Sequence, residues 1–291
     1  MTRTSSITIA VIGCGTLGTS IVTGILDPTD KGGITVERAI TTVATESSKQ
    51  RIEDTLSQHA SRLTVLLRQD NLRAIKDADV VLFAVKPVKR KDVFSAPGVR
   101  EALRGKLIIS IMAGISTQEI IRLALGDDNT SYNPLQIVRA MPNMAAKIRE
   151  ATTLCTADME ILSPDNLQIA SWVFNQVGQA QFVDESSFDI SAVLVGCAGS
   201  LLLLAIDGLL DAAVAEGVKR SEAQKMTVNS AIGMLKLVPA GDHPSVLREK
   251  IASPGGCSIR ALLELEKCGV RSAFTGAIMA AAERSKQMSK S

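Results

Sequence analysis

The chain has 291 residues, 46% hydrophobic and 21% charged, enough for a sizeable core in one large or two ordinary domains. Its net charge is +2 and aromatics are only 3%, with no basic stripe and no interleaved stacking residues, so nucleic acid is not an expected partner. Five scattered cysteines, with no C-x-x-C pair and no Cys/His cluster, argue against zinc and against a disulfide framework.

The thiols are therefore expected to be reduced and buried, as in a cytoplasmic protein. Six residues before the first apolar run are too few for a secretory signal. His59 and His243 are far apart in sequence and fit no metal motif or triad. His59 reads as a surface residue and His243 as part of a loop.

The first element is a strand over 7–12, rich in Ile and Val. It runs into Gly13-x-Gly15-x-x-Gly18 and then a helix carrying Ile21, Val22 and Ile25. Gly13 suits the tight turn, Gly15 leaves no side chain between backbone and pyrophosphate, and Gly18 lets helix pack on strand. The candidate dinucleotide loop is Gly13, Cys14, Gly15, Thr16, Leu17 and Gly18, where free N–H groups and the helix dipole favour a phosphate.

A turn at 27–33 leads to a second strand over 39–43. In such a unit the residue ending this strand meets the adenosine ribose. The segment offers Thr45, Ser47 and Ser48 rather than an early carboxylate, with Lys49 and Arg51 close behind. Hydroxyls and cations favour a 2′-phosphate, hence NADPH, with NADH possible because Glu46 is present. Ser47 or Ser48 also reads as an ordinary helix cap, and both readings hold together.

A helix to about 59, a strand at 63–67 and a short helix at 71–76 follow. The strand over 79–85 ends at Ala84, Val85, Lys86 and Pro87, placed to border a cofactor beyond the strand's carboxyl end. Lys86 reads equally as a phosphate contact or a solvated lysine. The fifth strand, 107–111, ends in Met112, Ala113 and Gly114, again small where a cofactor could approach. A helix at 117–125, a polar loop at 127–134 and a sixth strand at 136–141 come next, ending in Pro142 and Asn143. Ala113, Gly114 and Asn143 complete the candidate cofactor contacts. Strands at 152–156 and 181–183 flank a helix at 164–177.

After residue 183 the pattern is helical: 188–217, 221–237, 244–251, 258–267 and 272–287. The boundary falls near 184, giving a dinucleotide-binding domain over 1–184 and an all-α domain over 185–291. The most apolar run, 193–206, is short for a bilayer span and contains glycines and a serine. No membrane is expected. Leu201-Leu202-Leu203-Leu204 is apolar on every side, which demands burial on every side. A dimer with this helix packed on its copy supplies that burial.

Ala252-Ser253-Pro254-Gly255-Gly256-Cys257-Ser258 lies between two of these helices. It resembles the signature of the pyrroline-5-carboxylate reductases, Ser-Pro-Gly-Gly-x-Thr-x leading into a helix with Leu-Glu. Leu265-Glu266-Lys267-Cys268-Gly269-Val270-Arg271 continues the likeness. Ala84-Val85-Lys86-Pro87 and Val138-Arg139-Ala140-Met141-Pro142-Asn143 also look like family landmarks. The resemblance spans nearly the whole chain.

It implies an α/β fold, a Rossmann domain followed by an α-helical dimerisation domain. It implies NAD(P)H reduction of the ring C=N of 1-pyrroline-5-carboxylate to proline, an amino-acid-biosynthesis step. It also implies an active site between one subunit's Rossmann domain and its partner's Ser-Pro-Gly-Gly loop. The substrate is a small anionic cyclic imine. Gly255, Gly256 and Cys257 precede a helix, so their N–H groups suit its carboxylate, and Ser253 adds a hydroxyl. Ser258 stands where the family carries Thr, near the imine nitrogen, and is the candidate catalytic residue. Ser253 and Ser258 also read as plain helix caps.

The family has Gly-Ser-Gly-Pro-Ala and an aromatic at the start of the long helix. Here the matching stretch is Gly196-Cys197-Ala198-Gly199-Ser200-Leu201, with Gly196 and Cys197 as candidate substrate contacts. Met144-Ala145 replaces the usual Thr-Pro. These departures leave a substituted ring, such as a methylated pyrroline carboxylate, as an alternative substrate beside simple drift. A catalytically silent dinucleotide-binding dimer is the rival of another class, and the intact Ser253–Ser258 loop counts against it.

Overall fold

The computed structural model describes residues 5–30, 32–125 and 134–289. Eight strands form one sheet: β1 (Ser5–Ile12), β2 (Ile34–Val43), β3 (Leu63–Leu67), β4 (Val80–Phe83), β5 (Leu107–Ser110), β6 (Gln136–Pro142), β7 (Ala151–Ala157) and β8 (Gly178–Phe182). Their order is β3-β2-β1-β4-β5-β6-β7-β8. Every neighbouring pair is parallel except β6 and β7. The strand order reverses between β1 and β4, so a ligand crevice opens at their carboxyl ends.

Helices α1 (Thr16–Leu26), α2 (Glu46–Thr55) and α7 (Pro164–Asn175) belong to one face of the sheet. Helices α3 (Asn71–Lys76), α4 (Arg90–Phe94), α5 (Val99–Leu103) and α6 (Thr117–Leu125) belong to the other. Alternation along β1 feeds both cores: Ile9 and Val11 point to the first, Ala10 and Ile12 to the second. Burial on both sides is why β1 and β4 read as continuous apolar runs.

Five helices follow: α8 (Glu185–Ala215), α9 (Arg220–Leu235), α10 (Pro244–Ile251), α11 (Cys257–Lys267) and α12 (Val270–Ser289). Two compact units result. The first runs to Gly196 and takes in the chain from Ser285; the second is Cys197–Arg284.

All eight expected strands are present. Strand β2 starts five residues earlier than read, at Ile34, because Ile34 and Val36 alternate into the core beside polar neighbours. Helix α2 stops at Thr55 and a separate 3-10 turn, Ser57–His59, follows. The short helices α4 and α5 carry only five residues each, too few for a periodic signal. The loop expected at 127–134 lies outside the described residues except for Pro134, as does Lys31 in the expected turn.

The second unit is bare. Within residues 197–284 the buried apolar side chains are Leu210, Ala223 and Leu247. Leu203 and Leu204 are 68% and 71% exposed, so the all-round burial demanded by their sequence is not supplied by this chain. The thiols also divide: Cys14 and Cys155 are buried, whereas Cys257 and Cys268 are exposed, contrary to the expectation of uniformly buried cysteines. His243 is not merely a loop residue. It is the N-cap of α10, its ring Nδ1 accepting from the Ser245 N–H at 3.2 Å.

Candidate active site

The glycine loop leaves β1 at Gly13, whose φ of +83° is open to glycine at little cost. A Cβ there would lie 2.4 Å from Val85 Cγ1, so the turn also needs the missing side chain for packing. The Gly13 and Cys14 N–H groups donate to the Thr42 carbonyl at 3.1 and 2.7 Å, pinning the loop to the end of β2. Gly15 has nothing within 4 Å of where a Cβ would be, so its backbone faces open space. Gly18 packs against Cys14 Sγ, Val11 and Ala84, bringing α1 close to the sheet.

Gly15 is the N-cap of α1 and supplies no side-chain cap. The first-turn N–H groups at Thr16, Leu17 and Gly18 therefore lack intrahelical acceptors, and the dipole points its positive end at the crevice. An open glycine backbone and an uncapped helix start fit a pyrophosphate. Burial pushes the Cys14 thiol up to about 11, although a contact with Thr19 and the nearby Arg51 charge oppose the shift. That thiol stays neutral and serves packing.

At the end of β2 the N-cap of α2 is Thr45, not Ser47 or Ser48. Thr45 Oγ1 accepts from the Ser48 N–H at 3.2 Å and lies 3.2 Å from Ser47 Oγ and 3.0 Å from Ser48 Oγ. Three hydroxyls thus gather at a helix start, exposed, with Glu46 in the same first turn.

Ala84 and Val85 flank the glycine loop, the Ala84 N–H donating to the Ile12 carbonyl at 2.8 Å. Lys86 is exposed, and Pro87 begins a 3-10 turn. Gly114 adopts a φ of +73° after the exposed Ala113, with nothing within 4 Å of a Cβ. Asn143 caps the 3-10 turn Met144–Ile148, its side-chain oxygen accepting from the Ala145 N–H at 3.2 Å. These loops all leave the carboxyl ends of β4, β5 and β6.

In the second unit, Ser253 to Gly256 form a tight turn. The Gly256 N–H donates to the Ser253 carbonyl at 3.0 Å, with Pro254 second and Gly255 third at a φ of +72°. That combination is a type II turn. Gly256 is the N-cap of α11 and offers no side chain, so neither Ser253 nor Ser258 caps this helix. A Cβ on Gly256 would crowd Ser253 O and Oγ at 3.1 Å. Cys257 and Ser258 sit in the uncapped first turn, where N–H groups are free for an anion. Gly196 and Cys197 lie mid-helix in α8, and nothing stands within 4 Å of a Cβ on Gly196.

Two positioning residues escaped the sequence reading. Arg139 on β6 is buried; its Nη1 donates to Glu185 Oε1 at 3.0 Å and its Nη2 to Asp189 Oδ1 at 2.6 Å. Its guanidinium also sits 4.2 Å from the Phe188 ring centroid. Glu185 Oε2 accepts from Thr117 Oγ1 at 3.0 Å, so β6, α6 and the root of α8 share one network. An arginine inside an apolar strand was the available signal, since a buried cation demands acceptors. Arg90 is the other. Its Nε donates to Glu119 Oε1 at 2.6 Å and its Nη1 to the Pro87 carbonyl at 3.0 Å, fixing the loop after β4.

Among the described residues, no group of three or more His, Cys, Asp or Glu is placed to hold a metal. Helix α8 has 31 residues, extends beyond the apolar run 193–206 at both ends, and is by length and composition alone long and apolar enough to cross a membrane. Only 11% of its most apolar window is buried within the chain.

Residues 185–288 match the family described as pyrroline-5-carboxylate reductase dimerisation, and residues 8–114 match the family described as NADP oxidoreductase, coenzyme F420-dependent. The bare apolar surface of α8 falls within the residues that match the dimerisation family. The chain is 34% identical to a pyrroline-5-carboxylate reductase of Lophium arboricola, over 98% of this chain and 94% of that one. It is 27% identical to the solved pyrroline-5-carboxylate reductase of Coxiella burnetii, at a TM-score of 0.79 over 100% of both chains. The pyrroline carboxylate reductase of Plasmodium falciparum, solved with NADP bound, shares the fold at a TM-score of 0.80 and 24% identity, over 97% of this chain and 98% of its own.

Proposed function

The chain belongs to the pyrroline-5-carboxylate reductase family, and on that premise we propose that it reduces the ring C=N of 1-pyrroline-5-carboxylate with NADPH, giving proline. One observation carries the reading. The chain builds two glycine-made, uncapped helix starts, at Gly15 and Gly256, each suited to an anion. One suits the pyrophosphate of a dinucleotide, the other the carboxylate of a small imino acid.

When bound, NADPH supplies the hydride that the imine carbon accepts. The chain's part is to bind and orient. Gly13 to Gly18 hold the pyrophosphate, and Thr45, Ser47 and Ser48 meet the adenosine end. Ala84 to Pro87, Ala113, Gly114 and Asn143 border the rest of the cofactor. Ser253, Gly255, Gly256 and Cys257 receive the substrate carboxylate, with Gly196 and Cys197 along α8. Ser258 orients the imine nitrogen and relays its proton. No histidine is needed, because proximity and orientation carry most of a hydride transfer between bound partners.

The working unit is a homodimer or a larger homo-oligomer, in which the Ser253–Ser258 loop serves a second copy's glycine loop. The bare apolar face of α8 and the dimerisation match support this. The functional division falls at residue 184, where α8 begins immediately after. Five unpaired thiols agree with a cytoplasmic address.

The test is NADPH oxidation with a panel of cyclic imino acids. Turnover of 1-pyrroline-5-carboxylate with the highest kcat/KM supports the reading. A higher kcat/KM for a ring-methylated analogue moves the assignment to a substituted imine. Cofactor binding without turnover of any imine overturns the enzymatic reading.

A further inference from the structure

The loop after β4 runs through Ala84, Val85, Lys86 and Pro87, and the loop after β5 passes through Ala113 and Gly114 to α6. In a doubly wound sheet the half built on β1 to β3 takes the adenosine end, so the half built on β4 to β6 takes the nicotinamide. The loop after β5 is anchored by its own side chains. Met112 and Ile115 are buried on either side of Ala113 and Gly114, and the Glu119 N–H donates to Ser116 Oγ at 3.2 Å. The loop after β4 ends differently. The 3-10 turn Pro87–Lys89 has no buried residue, and Val88 is 74% exposed. Packing does not hold that turn, so its place depends on hydrogen bonds.

Arg90, the first residue of α4, joins the turn to another element. Its Nη1 donates to the Pro87 carbonyl at 3.0 Å, and its Nε donates at 2.6 Å to Glu119 Oε1 in the first turn of α6. The pair is partly buried, where a charged hydrogen bond is stronger than on an open surface. One guanidinium thus ties the loop after β4 to the helix that follows the loop after β5. The start of α6 is itself fixed from its other side. Thr117 Oγ1 donates to Glu185 Oε2 at 3.0 Å, and Glu185 Oε1 accepts from Arg139 of β6 at 3.0 Å. Arg90 therefore grips a post that is bonded back to the sheet.

We propose that the Arg90–Glu119 pair positions the nicotinamide end of the cofactor: it sets the spacing of the two loops and so the wall against which the reacting ring is held. Arg90 is a positioning residue that acts through Pro87. The inference rests on the dinucleotide part of the proposed function and not on the identity of the imine. The role calls for arginine, whose planar fork meets two acceptors in fixed geometry, where a lysine ammonium is a single point charge. Glu119 offsets the charge of Arg90, so the pair shapes the site and adds little net attraction for the cofactor's phosphates.

Calorimetric titration with NADPH and with 2′-phospho-ADP-ribose, which lacks the nicotinamide ring, tests this without any imine. Arg90→Ala should weaken NADPH by about three- to tenfold, the worth of one ordered hydrogen-bond contact, and leave 2′-phospho-ADP-ribose within about twofold. Arg90→Lys, which keeps the charge and loses the fork, should fall between parent and Arg90→Ala. Arg90→Ala combined with Glu119→Ala should weaken NADPH no more than Arg90→Ala alone, because both break one tie. Equal weakening of the two ligands overturns the proposal, as does weakening of neither or additivity of the two substitutions. With an imine that turns over, kcat of Arg90→Ala at saturating NADPH should fall by about tenfold, with KM for the imine within about twofold. A lowered melting temperature with NADPH affinity and kcat unchanged shows a structural role only and overturns the proposal. Failure of imine turnover with the ligand difference intact counts against the reductase reading alone.

Discussion

Arg139 Nη2 lies 2.6 Å from Asp189 Oδ1, so a strand of the sheet holds the root of the long helix by a charged hydrogen bond. The same guanidinium takes Glu185 on its other arm and Phe188 on its face. Residues 185, 188 and 189 share one side of α8 by their spacing. The arginine side chain is 5% exposed, whereas the two carboxylates are 46% and 47% exposed.

That asymmetry fixes an order of stabilities. Arg139→Met leaves two carboxylates that water can solvate and should cost about 1–3 kcal/mol. The pair Glu185→Gln with Asp189→Asn leaves the buried guanidinium without charged acceptors and should cost more, about 3–5 kcal/mol. Urea unfolding of the three proteins checks the ranking. A double variant as stable as Arg139→Met would show that the cation finds other partners.

The glycine loop separates packing from binding. Gly13→Ala meets both a φ of +83° and a Val85 methyl at 2.4 Å, so it should destabilise by about 2 kcal/mol or more. Gly15→Ala meets open space at a φ of −84° and should leave the melting temperature nearly unchanged. Its NADPH dissociation constant should nonetheless rise by about tenfold or more, since the new methyl stands where the pyrophosphate approaches. Calorimetry and nucleotide titration together read the two effects.

Ser258 offers the same kind of separation. It does not cap α11, so Ser258→Ala should stay within about 0.5 kcal/mol of the parent stability. Its kcat should fall by about ten- to a hundredfold if its hydroxyl orients the imine nitrogen. Gly255→Ala, at a φ of +72°, should instead strain the turn by about 1 kcal/mol and raise KM for the imino acid. Steady-state kinetics beside thermal melts distinguishes these outcomes.

Stability at high pH should report the buried thiol. Burial raises the folded Cys14 value to about 11 from the ordinary 9.0. Between these values the folded thiol keeps its proton and the unfolded one has lost it. Folding therefore binds the extra proton, and stability is full below about pH 9 and falls as pH rises toward 11. The slope from one such thiol is about 1.4 kcal/mol per pH unit. Cys155, also raised by burial, acts in the same direction. Urea unfolding under reducing conditions from pH 8 to 10.5 should show Cys14→Ala with a shallower decline than the parent.

Much of the first unit was legible because its signals are local. Alternation, apolar runs and a glycine triplet dictate strands, their order of appearance and the turn before α1. The Ser253–Gly256 turn was equally legible, since Pro followed by Gly sets a type II turn by backbone sterics alone. The cap of α2 was misplaced by two or three residues, because Thr45, Ser47 and Ser48 are chemically alike and only backbone geometry selects Thr45.

What the sequence alone determined is the class of fold, the glycine loop before α1 and the Ser253–Gly256 turn before α11, all written in short runs of neighbouring residues. Tertiary structure alone decided which distant residues meet. Arg139 finds partners 46 and 50 positions away, and Arg51 turns toward α1 rather than away from it. Sequence patterning records which residues must be buried or paired, while only the folded chain supplies the three-dimensional neighbours that satisfy them. The leucines of α8 show the limit of even the single folded chain: their demand for burial is plain in the sequence, and this chain does not supply the cover.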